Sequence, residues 1–415
     1  MAILKPFKGI RPVKEKAKAV ASRPYDVLNR EEAKAEAKGN PDSFLHVVKP
    51  EIDLPDTMDE HAPEVYQTGK SNFEKMLKSG LMFQDADEFL YVYAQTMNGR
   101  TQYGLVGCAA VEDYMNNIIR KHELTRPDKE EDRKNHIRTS NLNYEPVFFA
   151  YRAVPEIDKI VAGIVKNDPE YNFTAEDGFG HHFWVIRDKK TVDTLTQLFS
   201  KIPYTYVADG HHRTAAAALV GNERKLANKN HSGREEYNYF LAVHFPDTQL
   251  AIIDYNRLVK DLNGLLPEVF LKKLETGFIV AKKGKAEYKP TSLHNCSMYL
   301  RGEWYSLTAK PGTYNDADPI GCLDVTVLSD QILAPVLDIV DLRNSKRIDF
   351  VGGIRGLGEL KRRVDNGDMA AAFALYPVSM EQLFTIADSG NIMPPKTTWF
   401  EPKLRSGLVV HSLEG

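Results

Sequence analysis

Cysteine is scarce in this chain. Three residues in 415, Cys108, Cys296 and Cys322, lie far apart and form no CxxC pair. A disulfide framework and a zinc knuckle are thereby disfavoured, and a reducing cytoplasm is the expected compartment. Long apolar runs are missing too: nowhere do about 18 apolar residues follow one another, so no membrane span is expected. The opening stretch, MAILKPFKGIRPVKEKAKAV, carries lysines at intervals and no apolar core of signal-peptide length, so no export signal is expected either. Charge of one sign is also lacking. With 54 Lys and Arg against 57 Asp and Glu the net charge is −3, too weak a field to draw a polyanion, and nucleic acid is not an expected partner. The Walker loop, the protein-kinase motifs and the HExxH zinc pattern are absent as well.

What is present is the composition of a folded globule, 42% hydrophobic and 27% charged. A chain of 415 residues exceeds the usual reach of one hydrophobic core, so two or three subdomains are expected. Residues 1–80 read as an N-terminal layer, with a helix in NREEAKAEAKG introduced by Asn29 and closed by Gly39. Residues 81–260 open on two strand-like runs, EFLYVYAQTM and YGLVGCAAV, joined at Asn98 and Gly99 as a β-hairpin. A charged stretch over 112–140 follows, broken by Pro127 into a loop and a helix. Strands in EPVFFAYRA and HHFWVIRD, a helix in KKTVDTLTQLFSKI and a strand in YTYVA lead to a helix that begins with an alanine run. NYFLAVHF and LAIIDYNRLV read as a further hairpin with PDTQ at its tip. From 261 to 415 helices and strands are interspersed, so the expected class is mixed α/β.

The stretch YTYVADGHHRTAAAALVGNERK, residues 204–225, crowds an acid, two imidazoles and a guanidinium into the turn between strand and helix. A strand entering a glycine turn and then a helix aims backbone N–H groups and the positive end of the helix dipole at one point, which suits an anion. Gly210 permits positive φ or close approach of a ligand, and His211, His212 and Arg213 can reach phosphate oxygens. Asp209 is the odd member: a carboxylate there repels an anion unless it binds a metal, orients a histidine or takes part in the reaction. A plainer reading stands beside this one, in which Asp209 caps the helix and the histidines are exposed turn residues. A metal site on His211 and His212 is disfavoured, because adjacent residues share no helix face. Further on, PPKTTWFEPKLRSG sets Lys396, Lys403 and Arg405 among Thr397, Thr398 and Ser406 on a proline-stiffened backbone. Such cations and hydroxyls would grip a phosphate chain or a carboxylate, while Trp399 and Phe400 suit a tail docked on the core equally well. GGIRGLG, 352–358, has the wrong spacing for a dinucleotide loop and reads as a turn before a helix.

Four separated stretches in a fixed order, RPYDV (23–27), KHELT (121–125), VADGHHRTAAA (207–217) and MPPKTTWFEPKLRSGLVV (393–410), resemble the bacterial and archaeal family known as domain of unknown function 1015. That family resembles the free L-serine kinases, whose core belongs to the ParB/sulfiredoxin superfamily. The resemblance implies a ParB/sulfiredoxin-like catalytic core over 81–260, and additional N-terminal and C-terminal α/β layers, 1–80 and 261–415, with the final motif returning to the site. It implies Glu123 as the base for a substrate hydroxyl. Catalytic, phosphate or metal contacts fall to Asp209, and phosphate contacts to Gly210, His211, His212, Arg213, Lys396, Lys403 and Arg405. Arg23, Tyr25, His122, Thr397 and Ser406 lie in the same motifs and are expected near the substrate. Two positions depart from the family pattern: Arg23 stands where a proline is commoner, and Thr214 where an aromatic residue often is.

The activity so implied is phosphotransfer to an amino-acid hydroxyl, foremost a free L-serine kinase forming O-phospho-L-serine. ATP, ADP or pyrophosphate would be the donor, and Mg²⁺ would bridge the phosphates. Phosphoserine hydrolysis, or transfer in reverse, would use the same groups. A non-catalytic ParB-like nucleotide-binding module would want a basic surface and a helix-turn-helix, neither of which is evident. A sulfiredoxin-like redox role would want a cysteine near the turn, where there is none. Without the resemblance, Glu123 in so charged a segment reads as a solvated residue.

Overall fold

The structure is a computed structural model describing residues 1–414. The fold is mixed α/β and the chain forms two compact units, one of Met1–Leu250 together with the segment from Pro402 onward, the other of Ala251–Glu401.

The first unit is built on an eight-stranded mixed sheet. Its strands are β1 (Leu90–Met97), β2 (Arg100–Ala110), β3 (Ile119–Arg120), β4 (Val147–Tyr151), β5 (Tyr171–Thr174), β6 (Gly180–Ile186), β7 (Thr205–Asp209) and β8 (Tyr239–Pro246). They lie in the order β3-β7-β4-β8-β2-β1-β6-β5. β1 and β2 form the expected hairpin. Asn98 and Gly99 both take positive φ, 51° and 76°, the requirement of a two-residue turn that follows the strand twist. β7 runs parallel to β3 and antiparallel to β4, and this arrangement positions the site.

Three helices of this unit matter below. α1 (Arg30–Ala37) starts at Asn29, whose side chain accepts the Glu32 N–H while Glu32 reaches back to the Asn29 N–H, a capping box. α2 (Pro127–Ser140) begins on a proline, which has no N–H to leave unpaired. α3 (His211–Ala227) carries the alanine run. Ala216, Ala217, Ala218 and Val220 share a buried cluster with Phe149, Val207, Phe240 and Ala242 of the sheet. Small side chains let helix and sheet approach closely. Gly221 packs on the 3₁₀ turn Glu236–Asn238 that precedes β8, where a Cβ would lie 2.4 Å from the Tyr237 carbonyl oxygen. Residues of the N-terminal layer, including Phe44, Leu45, Val48, Phe73 and Met76, form a second cluster with Leu142, Tyr144 and Val410.

The second unit holds a six-stranded sheet. Its strands are β9 (Tyr255–Val259), β10 (Phe278–Gly284), β11 (Asn295–Leu300), β12 (Glu303–Ala309), β13 (Ile348–Gly352) and β14 (Ala371–Ala374), in the order β10-β12-β11-β14-β9-β13. Leu258, Tyr299, Trp304, Val351, Leu360 and Ala372 form a buried cluster within it. One expectation is overturned here. NYFLAVHF and LAIIDYNRLV do not pair as a hairpin: β8 pairs with β2 and β4, while β9 pairs with β13 and β14. The intervening PDTQ contains no residue at positive φ, and Asp247–Gln249 form a 3₁₀ turn that carries the chain out of the first sheet.

Candidate active site

β7 ends at Asp209 and α3 begins at His211, so Gly210 alone makes the turn. Its φ of 89° and ψ of 36° are left-handed, a conformation that costs a residue with a Cβ roughly 1–2 kcal/mol. A Cβ would also sit 3.2 Å from Arg213 Cζ and Nε. Glycine therefore lets the guanidinium lie against the turn. No side chain caps this helix, so its first-turn N–H groups form a positive pole.

Asp209 is clasped by cations. Lys403 Nζ donates to Oδ1 at 2.5 Å and Arg213 Nη2 to Oδ2 at 2.9 Å. Burial alone would lift its pKa, but the charges of Lys403 and Arg213 overcome that and hold it at about 2. Arg213 is itself buried, with Nη1 donating to the Pro146 carbonyl at 2.8 Å and Nη2 lying 3.5 Å from Asp26. The burial opposes its charge, and Asp26, Asp209 and Glu145 more than restore it, so its pKa is raised.

Glu123 reaches the same place through the sheet. β3 lies beside β7 in parallel register, Ile119 opposite Thr205 and Arg120 opposite Tyr206. Parallel neighbours leave a sheet at the same edge, so KHELT and the glycine turn emerge side by side. Glu123 Oε2 stands 3.9 Å from His211 Nδ1, and its side chain is 35% exposed. His211 is buried, and burial, though opposed by Asp209, lowers its pKa to about 4. His122 meets it edge to face with ring centroids 4.5 Å apart, and burial lowers His122 to about 3. Both rings are thus neutral at physiological pH. His211 Nε2 is buried without a hydrogen-bond partner. His212 Nε2 accepts the Arg126 N–H at 3.0 Å, which ties the segment after KHELT to the helix start.

Of the residues expected near substrate, Tyr25 is buried, with the Arg133 guanidinium 3.8 Å above its ring centroid. Arg23 is engaged with Glu36, Nε to Oε2 at 2.6 Å. Ser406 and Tyr25 meet on a residue that sequence reasoning did not single out. Glu145 Oε1 accepts the Tyr25 N–H at 3.0 Å and the Ser406 hydroxyl at 3.1 Å. Burial raises the Glu145 pKa, against the pull of Arg213 and Arg133. Arg405 is buried and spends its guanidinium on Asp177 and on His181 Nε2. The structure therefore gathers Glu123, His122, Asp209, Gly210, His211, His212, Arg213 and Lys403 around the turn, with Tyr25 and Ser406 behind Arg213. Lys396 and Thr397 belong to the second unit, where the Thr397 hydroxyl donates to the Pro394 carbonyl and Lys396 Nζ lies 5.8 Å from the Tyr255 ring centroid.

Where the resemblance implies Mg²⁺, each Asp209 oxygen already accepts one cationic donor, Lys403 or Arg213, which a metal ion would have to share or displace. Among the described residues no three His, Cys, Asp or Glu side chains are grouped to hold a metal ion. Among those residues, too, no helix is long and apolar enough to cross a membrane.

Several solved structures are similar to this chain. A conserved hypothetical protein from Pyrococcus furiosus shares 14% identity, covering 74% of this chain and 95% of its own, with a TM-score of 0.36. A free serine kinase in complex with AMP shares 13%, covering 74% and 91%, with a TM-score of 0.36. SbnI with a C-terminal truncation, from Staphylococcus aureus, shares 12%, covering 74% and 87%, with a TM-score of 0.38. No curated protein matches. The match to a family model is broader, running from residue 4 to residue 326 and taking in RPYDV, KHELT and the glycine turn, and by it the chain belongs to the family described as protein of unknown function (DUF1015).

Proposed function

We propose that the first unit transfers a phosphoryl group from a small phosphate donor to the hydroxyl of a free amino acid, with L-serine as acceptor and O-phospho-L-serine as product. One observation carries this reading: a partly exposed carboxylate, Glu123, stands beside an uncapped helix start flanked by Arg213 and Lys403. Donor phosphate oxygens would settle over the first-turn N–H groups of α3 and share the bonds that Lys403 and Arg213 now give to Asp209. Glu123 would take the proton as the serine oxygen attacks phosphorus in line. The bond from phosphorus to the donor's bridging oxygen breaks, and the leaving phosphate keeps its electron pair against the cations. His211 and His122, neutral and packed together, would wall the base without adding charge. A positioned base contributes roughly 10²–10⁴-fold, and the helix pole with its two cations supplies electrostatic stabilisation.

The test is direct. The purified chain is incubated with L-serine and ATP, ADP or pyrophosphate in turn, and phosphoserine is read by mass spectrometry. Product with one donor and none without it is expected. No product from any donor overturns the reading, and release of phosphate from added phosphoserine without a donor would assign hydrolysis instead.

A further inference from the structure

The second unit holds a cleft with a chemistry of its own. It is open to solvent and leaves about 10 Å³ of free space at its core, room for one water-sized group. Aliphatic residues make most of its lining, and its polar residues are Asp324, Gln382, Thr397 and the tyrosines Tyr255 and Tyr376. Among the described residues no lysine, arginine or histidine lines it.

Asp324 is 6% exposed. Its Oδ1 accepts the His294 N–H at 2.8 Å and lies 3.5 Å from His294 Nδ1, while Oδ2 has no hydrogen-bond partner. Burial lifts its pKa to about 6 against the His294 contacts and the Tyr376 N–H, so the carboxylate is mostly ionised at neutral pH. A buried carboxylate whose Oδ2 lacks a hydrogen bond of good geometry, with the Tyr376 N–H close by, is stabilised further by a counter-ion. The Thr397 hydroxyl spends its proton on the Pro394 carbonyl at 2.6 Å, and toward the cleft it can only accept. Gln382 Oε1 is already held by the Ser379 N–H at 2.9 Å. The cleft thus offers an anionic acceptor, a hydroxyl acceptor and aromatic surface, a combination that repels anions and suits a cation bearing N–H donors.

We propose that this cleft binds a small ammonium group, either the free ammonium ion or the terminal amine of an aliphatic chain, with Asp324 as counter-ion and Thr397 as hydrogen-bond acceptor. The site stands independently of phosphotransfer. It also gives a ligand-facing role to Thr397, which its motif had pointed toward a substrate.

The experiment uses the full chain in matched chloride salts at pH 7.5, with binding followed by calorimetric titration and the unfolding midpoint by fluorescence. Ammonium and methylammonium should bind saturably and raise the midpoint, whereas potassium and tetramethylammonium should not. Stronger binding of methylammonium than of ammonium would mark an organic amine as the ligand, and the reverse order the free ion. Asp324→Asn should weaken binding by about tenfold or more, the scale of a hydrogen bond to a charged group. Should that variant fail to fold, Thr397→Val removes one acceptor and should weaken binding several-fold. Equal effects of potassium or tetramethylammonium, or ammonium affinity unchanged in the folded variants, would overturn the proposal.

Discussion

Glu123 draws its role from its neighbours. Replacing it by glutamine keeps the shape and removes the proton acceptor, so turnover of L-serine should fall by roughly 10²–10⁴-fold while the unfolding midpoint stays within a degree or two of the parent, about what a neutral surface change allows. Steady-state kinetics beside a thermal melt checks both halves. Asp209 makes a pH prediction. Its folded pKa, about 2, lies below its unfolded value, so its ion pairs stabilise the fold above the unfolded value and are lost as pH falls through the folded one. The stability gap between the parent and Asp209→Asn should therefore be full at pH 6 and close between about pH 4 and pH 2, as urea titrations at several pH values would show. Asp209, His211 and Arg213 were legible because they sit in one short stretch whose composition no ordinary turn requires. Glu145 was not. It acquires its place from Tyr25 and Ser406, which lie 120 and 261 residues away in sequence, and nothing local distinguishes it from any carboxylate ahead of a strand.

Among the elements, the tie between β7 and α3 is the most sensitive, because a single residue makes the bend. Gly210→Ala should lose roughly 1–2 kcal/mol to the left-handed backbone. It should weaken binding of inorganic phosphate or pyrophosphate by more than that stability loss suggests, since the new methyl group meets the Arg213 guanidinium. Equilibrium unfolding and a phosphate titration on the same variant separate the two effects, and unchanged affinity would detach the turn from anion binding. The periodic elements were easy to read: the Asn98–Gly99 hairpin, the capped helix after Asn29 and the alanine helix each have a local cause. The pairing of β9 was not, because an alternating apolar pattern suits either sheet equally and only the absence of a positive-φ residue in PDTQ separates a hairpin from a crossing. The parallel alignment of β3 with β7, which unites Glu123 with the turn, depends on contacts 86 residues apart.

For the molecule as a whole, the first unit carries an unusual load of neutral histidine. Burial lowers His122, His136, His181 and His244 to about 3 and His211 to about 4. Unfolding frees each ring to take a proton near its ordinary value of 6.5, so stability is lost progressively as pH falls below that value toward the folded ones. In the second unit Asp324, held at about 6, binds its proton more readily folded than unfolded and contributes in the opposite sense. Hydrogen exchange read by mass spectrometry from pH 7 to pH 5, corrected for the intrinsic exchange rate, should show the sheet of Met1–Leu250 losing protection faster than that of Ala251–Glu401. Equal losses would count against the buried, uncharged rings. The first unit is also discontinuous, and its clasp on Asp209 comes from Lys403, downstream of the whole second unit. A ribosome must therefore translate the entire intervening unit before that lysine exists, so a nascent chain can lay down its sheet and bring Glu123 to the turn while still lacking one of the two charges that hold the aspartate. Asp209 gains its second cationic donor only once the second unit has been translated.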